Sequence, residues 1–276
     1  MLPHVDVVET EIGRYLLFAG DDLISAVLRA YGNWDPVTVA TAEMLLDMDG
    51  RGGTIIDGGA NLGAFSIPIA KLAGGRYQVL SFEVQRIVYY QLCGNVVLNG
   101  VDTVYPFNFG LSDREGHIRI PKPDYTTDGN IGALSIDPAV RAVRRQAGIG
   151  APTDAPQAET QLAELITLDS LDLTDVRLIK LDVEGVELSV LRGADRTLRD
   201  CGYPPILFEI WDMNKLPGLR AAQEELFAHV GALGYAITVL GDLALAQHRR
   251  TQPVHLGFAF DANGALGVTR TPAPEL

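Results

Sequence analysis

The sequence predicts an α/β fold built on a mostly parallel sheet, and three observations predict it. From residue 54 onward, short apolar runs alternate with segments of helical periodicity. A glycine-rich loop, Asp57-Gly58-Gly59-Ala60-Asn61-Leu62-Gly63, joins the first of these runs to a helix. Glu83 closes the second run, 20 residues beyond Gly63. Strands that alternate with helices pair in parallel through right-handed crossovers, which makes a doubly wound sheet.

The elements follow in order. Residues 1–50 form a preface of helices and a hairpin. Val7 to Phe18 reads as the hairpin, turning near Gly13. Asp21 to Tyr31 has helical spacing, with Leu23, Ile24, Val27 and Leu28 on one side. A second helix starts at Asp35-Pro36, where proline suits the first turn, and ends before Gly50. Thr54–Asp57 is a buried strand, Leu62–Leu72 a helix kinked at Pro68, and Tyr77–Phe82 a second strand. Gln85–Leu98 is a helix and Thr103–Phe109 a third strand.

Residues 110–165 interrupt this rhythm as a β insertion. Gly116–Pro121 and Gly132–Ile136 read as its strands, with turn residues from Asp124 to Asn130 between them. Arg141 to Glu159, rich in Ala, Pro and Gln, reads as a mobile stretch. The alternation then resumes. Val176–Asp182 is a strand, Gly185–Leu198 a helix, Pro205–Ile210 a strand, and Leu219–Leu233 a helix stopped by Gly234. Tyr235–Leu240 and His255–Phe260 close the sheet as an antiparallel edge. This organisation gives an extension over 1–50, one domain over 51–270 that carries the insertion, and a disordered tail over 271–276.

The chain has 276 residues, of which 47% are hydrophobic, enough for a sizeable core. Its formal charge of -13 repels nucleic-acid phosphates and anionic lipid, so neither is an expected partner. That balance suits a small neutral or cationic partner. Cys93 and Cys201 have no metal-ligand spacing and suggest no disulfide framework, which fits a reducing cytoplasm. The start, Met1 to Asp6, has neither a basic nor an apolar signal region. No apolar run approaches the ~20 residues that span a bilayer.

The loop carries specific chemistry. Gly59 permits a sharp turn and close approach to a ligand, and Gly63 lets the helix pack near the sheet. Asn61 tolerates unusual dihedrals. A helix start at Leu62 presents free N–H groups to an anion, while Asp57 accepts from an ammonium group. One loop offering both suits an amino-acid moiety better than a pyrophosphate. Glu83 stands where an acid accepts both ribose hydroxyls. The plain alternative is a tight strand-to-helix turn with a capping acid.

Three blocks extend this pattern: Ile55 to Gly63; Ser81-Phe82-Glu83 with Asn95 and Asn99; and Leu168-Asp169-Ser170-Leu171 with Leu178 to Glu187 and Val190 to Ala194. With these the chain resembles the FkbM family of S-adenosylmethionine-dependent class I methyltransferases. The resemblance implies a Rossmann-like seven-stranded sheet with an antiparallel last strand, and methyl transfer, usually to oxygen. The expected S-adenosylmethionine site is Asp57, Gly58, Gly59, Ala60, Asn61, Gly63, Glu83, Asn108 and Asp182, with Asn108 or Phe109 near the adenine. Val84 stands where the family commonly has proline.

Ligands of open α/β sheets bind where the strand order reverses. Asp182 lies there beside Asp57, Glu184 two residues on, and Glu209 on the same edge. These three are the candidate catalytic residues, able to position or deprotonate an acceptor. The methyl group arrives activated, so alignment is the main task. Glu184 and Glu187 have a second reading, as acids that favour a helix N-terminus. Trp211, Trp34 and the Asn130-Ile131-Gly132 segment could wall or cover the site. Asp182, Glu184, Glu209 and Asp212 could gather round a divalent cation, but no spacing fixes that, and no metal is expected. His117 and His255 read as ordinary strand residues.

The leading expectation is methylation of a hydroxyl on a small molecule such as a sugar or polyketide. Alternatives are N-methylation of an amine or peptide, a non-catalytic nucleotide-binding protein, and a dehydrogenase, against which Asn61 argues. A homo-oligomer is left open.

Overall fold

The computed structural model describes residues 3–19, 22–126, 129–149, 159–252, 254–260 and 266–272. The chain opens with an antiparallel hairpin of β1 (Val5–Thr10) and β2 (Gly13–Phe18). Helix α1 (Leu23–Tyr31) follows, capped by the Asp22 carboxylate, which accepts the Ser25 N–H at 3.0 Å. Helix α2 (Pro36–Asp49) starts in the same way on Asp35, which accepts from the Thr38 N–H.

The alternating region then runs β3 (Gly53–Gly58), α3 (Ser66–Ala73), β4 (Tyr77–Phe82), α4 (Arg86–Asn99) and β5 (Val104–Phe107). The insertion holds β6 (Gly110–Leu111), β7 (Gly116–Pro121), α5 (Pro138–Gln146) and β8 (Thr160–Ile166). After it come β9 (Val176–Leu181), α6 (Glu187–Arg192), α7 (Asp195–Asp200), β10 (Ile206–Glu209), α8 (Arg220–Ala232), β11 (Tyr235–Leu240) and β12 (Leu243–His248). A hairpin of β13 (Val254–Phe260) and β14 (Leu266–Pro272) ends the described chain.

Seven strands form one sheet in the order β11-β12-β10-β9-β3-β4-β5. From β5 to β10 all neighbours are parallel, and β12 runs antiparallel to both β10 and β11. The fold is the expected α/β sheet. Its order reverses between β3 and β9, so their C-terminal ends diverge into a crevice. Ile55, Ile56, Leu178, Ile179, Leu207 and Phe208 are fully buried between helices on both faces, which explains their uninterrupted apolar runs.

Several elements differ from the sequence expectation. The first helix of the alternating region starts at Ser66 rather than Leu62, because Asn61 adopts a left-handed conformation (φ 48°) and the chain turns again before the helix. Pro68 therefore falls in the first turn of α3, where its missing N–H breaks no helical bond. Gly132–Ile136 is not a strand. The partner of β7 is β8, and Leu134 and Ile136 pack as irregular chain against this small sheet. The stretch expected to be mobile begins as α5, capped by Asp137, and its residues 150–158 lie outside the described residues.

The helix expected over Gly185–Leu198 is two short helices. Its break at Gly193 lets the Ser112 carbonyl approach where a Cβ would lie 2.1 Å away, while the Asp169 carboxylate takes the Thr197 N–H at 2.7 Å. His255–Phe260 does not close the main sheet but pairs with β14, so the expected tail residues Thr271 and Pro272 are strand. The seventh strand is β12, whose Leu-Ala-Leu-Ala run is buried on both faces and shows no alternation. Among the described residues no helix is long and apolar enough to cross a membrane.

Candidate active site

At the C-terminal ends of β3, β4, β9 and β10 lies a cavity of about 520 Å³. The loop after β3 forms its floor. Gly59 has φ 74°, and a Cβ there would lie 1.8 Å from the Asp182 carbonyl oxygen, so only glycine fits. The N–H groups of Gly59 and Ala60 both donate to the Phe82 carbonyl, at 3.0 and 2.9 Å. The Asn61 N–H donates to Glu83 Oε2 at 3.0 Å, and the Gln85 N–H to Oε1 at 2.7 Å.

Glu83 is therefore held at both oxygens and still lines the cavity. A carboxylate oxygen has two lone pairs, so each keeps acceptor capacity for a ligand hydroxyl. Burial pushes the Glu83 carboxyl up to about 7, against the two backbone N–H bonds, which favour the charged form. Asn108 does not line the cavity. Its amide donates to the carbonyls of Glu83 and Val84 and so shapes the bend after β4, while neighbouring Phe109 faces the cavity.

Asp57 also lies beneath the cavity rather than in its wall. It is fully buried, accepts from Ser66 Oγ, and sits 3.1 Å from Lys180 Nζ. Lys180 also donates to the Gly59 carbonyl at 3.1 Å and lies 3.6 Å from Asp182. Burial alone would lower the Lys180 pKa, but Asp57 and Asp182 outweigh it and the pKa is raised. Of the nine expected cofactor residues, Gly59, Ala60, Asn61, Glu83 and Asp182 line the cavity, while Asp57, Gly58, Gly63 and Asn108 do not.

The structure brings the three candidate catalytic residues together. Asp182, Glu184 and Glu209 each place a carboxylate oxygen within 4.8 Å of the others. Glu184 stands in the left-handed region (φ 56°), followed by Gly185 at 96°. Glu187 does not line the cavity; its Oε1 accepts from the N–H groups of Val183 and Gly185, both at 3.2 Å, and so holds the turn. Arg144 reaches from α5 to Glu184 at 3.1 Å, and Glu209 accepts from Trp211 Nε1 at 3.1 Å.

Burial pushes Glu184 up to about 8, aided by Asp182 and opposed by Arg144. Glu209 is pushed well up by burial and then by Glu184 and Asp182. Asp182 is raised by burial, against Lys180. Lys180 and Arg144 thus already stand as counter-charges against two of the three acids, and Asp212 lies apart, facing Lys215. Trp34 and Asp35 from the preface, and Asn130 and Gly132 from the insertion, complete the wall.

Sequence reasoning did not single out Lys180, Arg144 or Asp35. A lysine inside the apolar run Leu178-Ile179-Lys180-Leu181 was a signal for the first, because a charge buried in a strand needs a partner. Arg144 carried no such signal.

A family model for the methyltransferase FkbM domain matches residues 57–218. The chain belongs to the FkbM methyltransferase family. It is an S-adenosylmethionine-dependent methyltransferase, with that compound as its methyl donor. The cavity fits the donor: its volume is in the range of a small-molecule site, and a glycine loop and a buried carboxylate meet in it. No curated protein matches this FkbM methyltransferase in sequence.

Solved structures similar to it include three from different sources. A precorrin 8w decarboxylase from Methanobacterium thermoautotrophicum is 12% identical over 87% of this chain and 88% of its own, with a TM-score of 0.40. A putative caffeoyl-CoA O-methyltransferase from Staphylococcus aureus is 10% identical over 80% and 90%, with a TM-score of 0.43. A putative rRNA-methylase from Clostridium thermocellum is 9% identical over 75% and 92%, with a TM-score of 0.40.

Proposed function

We propose that this FkbM methyltransferase methylates a hydroxyl group of a small molecule. The observation that carries the reading is the meeting of Asp182, Glu184 and Glu209 in the same cavity as Glu83 and the Gly59–Asn61 loop. In this reading Gly59, Ala60 and Asn61 line the methionine end of the donor, the loop N–H groups expected to be free at Leu62 being already bonded within the protein, and Glu83 accepts its ribose hydroxyls. S-adenosylmethionine supplies a methyl group already activated on a sulfonium.

The chain's own task is to bring the acceptor oxygen in line and to take its proton. Glu209 suits that step. Lys180 stands against Asp182 and Arg144 against Glu184, while Trp211 orients Glu209 by a neutral N–H. As the oxygen–carbon bond forms and the carbon–sulfur bond breaks, the hydroxyl proton passes to the Glu209 carboxylate. Asp182 holds the acceptor beside it.

A second reading, methylation of an amine, rests on the charge of the cavity. Asp35, Asp182, Glu184, Glu209 and Asp242 all line it. Such a wall favours a cationic acceptor, and with a net charge of -13 it disfavours a nucleic acid.

Thermal melting with S-adenosylhomocysteine, NAD and ATP tests the site, and a shift with the first alone is expected. A radiolabelled donor offered to panels of small hydroxyl and amine compounds then separates the two readings. Label transferred to amines alone would overturn O-methylation.

A further inference from the structure

Arg144 ties the insertion between β5 and β9 to the acidic edge. Arg144, near the C-terminal end of α5, is only 5% exposed. Its Nη1 donates to Glu184 Oε2 at 3.1 Å and its Nη2 to the Ala133 carbonyl. One guanidinium therefore bridges the irregular Gly132–Ile136 segment, which walls the cavity, and the acid at the strand end.

The same helix is packed down beside that bond. Val140 and Val143 of α5 meet Trp211, Leu216 and Leu219, which follow β10. The contact closes on Gly185, where a Cβ would lie 2.5 Å from the Trp211 ring and 3.0 Å from Val140. Glu184 itself holds a left-handed conformation at φ 56°, which is strained for a residue with a side chain and persists only where the surroundings hold it. Arg144 bonds the Glu184 side chain, and the Glu187 carboxylate accepts from the N–H groups on either side of Glu184.

We propose that Arg144 is a positioning residue for methyl transfer: acting through Glu184, it fastens the insertion over the acceptor end of the cavity and fixes the strained turn that aims the carboxylates at the transfer point. This rests on the methyltransferase reading of the cavity. It assigns the insertion a part in the reaction site beyond that of a wall. It also makes Glu184 the anchor of the cover and leaves proton transfer to Glu209.

The test needs no acceptor. Wild type, R144A, R144K and R144Q are compared, with E184Q to assign the signal, by carbon-13 labelling of glutamate carboxyls. Among the described residues the groups that face Glu184 are Arg144 from α5, Asp182 and Glu209 from the strand ends, and Glu187 from α6, with Lys180 behind Asp182. Arg144 is the group among them that favours the charged form of Glu184. The Glu184 titration should therefore move up by about one pH unit or more in R144A and R144Q, and return toward wild type in R144K.

In parallel, S-adenosylmethionine labelled with carbon-13 in its methyl group is bound to each variant. Its methyl resonance should shift in R144A and be restored in R144K. Wild-type titration and a wild-type methyl resonance in folded R144A or R144Q overturn the proposal. If R144A does not fold, R144Q keeps an aliphatic stem with a polar end and without the charge, and the same two readings decide the matter. Failure of the wild-type protein to bind S-adenosylmethionine or S-adenosylhomocysteine overturns the methyltransferase reading instead, while the Glu184 titration still decides whether Arg144 positions that turn.

Discussion

Lys180 Nζ lies 3.1 Å from the Asp57 carboxylate, across the two strands between which the sheet reverses its order. Both side chains are buried, and the same ammonium holds the Gly59 carbonyl and faces Asp182. One charge thus ties the loop after β3 to the end of β9. In Lys180→Met the Asp57 carboxylate is left buried without its cation. Stability should fall by about 3–5 kcal/mol, read by urea denaturation. Adding Asp57→Asn should recover part of the loss, and strictly additive effects would show that the pair does not act as a unit.

Gly59→Ala tests the loop. The new Cβ meets the Asp182 carbonyl and the backbone is left-handed, so strain of about 1–3 kcal/mol is expected together with loss of S-adenosylhomocysteine binding in calorimetry. Binding at wild-type affinity would show that the loop is not the donor's seat.

Glu83 is expected to grip ribose as a carboxylate. Charge-assisted hydrogen bonds are worth about 1.5–3 kcal/mol, so Glu83→Gln should weaken S-adenosylhomocysteine roughly tenfold to a hundredfold. Because the Glu83 carboxyl is pushed up to about 7, affinity of the wild type should rise as pH passes from 6 to 8. The rise should vanish in the variant, and a pH-independent wild type would count against this role.

The proposed acceptor edge at Asp182 and Glu209 is read by turnover. Asp182→Asn should abolish label transfer. Glu209→Gln should lower kcat by about a hundredfold or more, as expected for a lost general base, with S-adenosylhomocysteine still bound. A Glu209→Gln enzyme of full activity would remove that residue from proton transfer.

Stability should also depend on pH with a defined sign. Burial raises Glu83 and Glu187 to about 7 and Glu184 to about 8, all above their unfolded value of 4.5. The folded state therefore binds more protons than the unfolded chain between these limits. That contribution is fully present below pH 4.5 and is lost as pH rises through 7 to 8. The urea midpoint of the ligand-free protein should fall from pH 5 to 8, with a shallower fall in Glu184→Gln.

The central sheet was legible because buried parallel strands read as unbroken apolar runs, and residues such as Ile55-Ile56 and Leu178-Ile179 leave little choice. Helix starts were less legible. Asn61 turns left-handed before α3, and that depends on Glu83 taking its N–H from another strand. The two strands missed or misplaced at the edge, β12 and β13, are rich in alanine or carry no alternation, so local pattern does not distinguish them.

By itself the sequence determined the α/β alternation, the loop from Asp57 to Gly63, and the acid that follows β4. Each is a local pattern, set by periodicity or by the backbone freedom of glycine. Only the tertiary structure decided that Asp57 faces Lys180 beneath the cavity rather than in its wall. It also decided that three carboxylates from two strand ends converge, and that Arg144 joins them from the insertion. Those relations pair residues far apart in the chain: Arg144 with Glu184, 40 positions on, and Asp57 with Lys180, which lies in a different strand beyond the whole insertion. No local preference encodes them, because the partners of a buried charge are chosen by how the sheet and its insertion close around it.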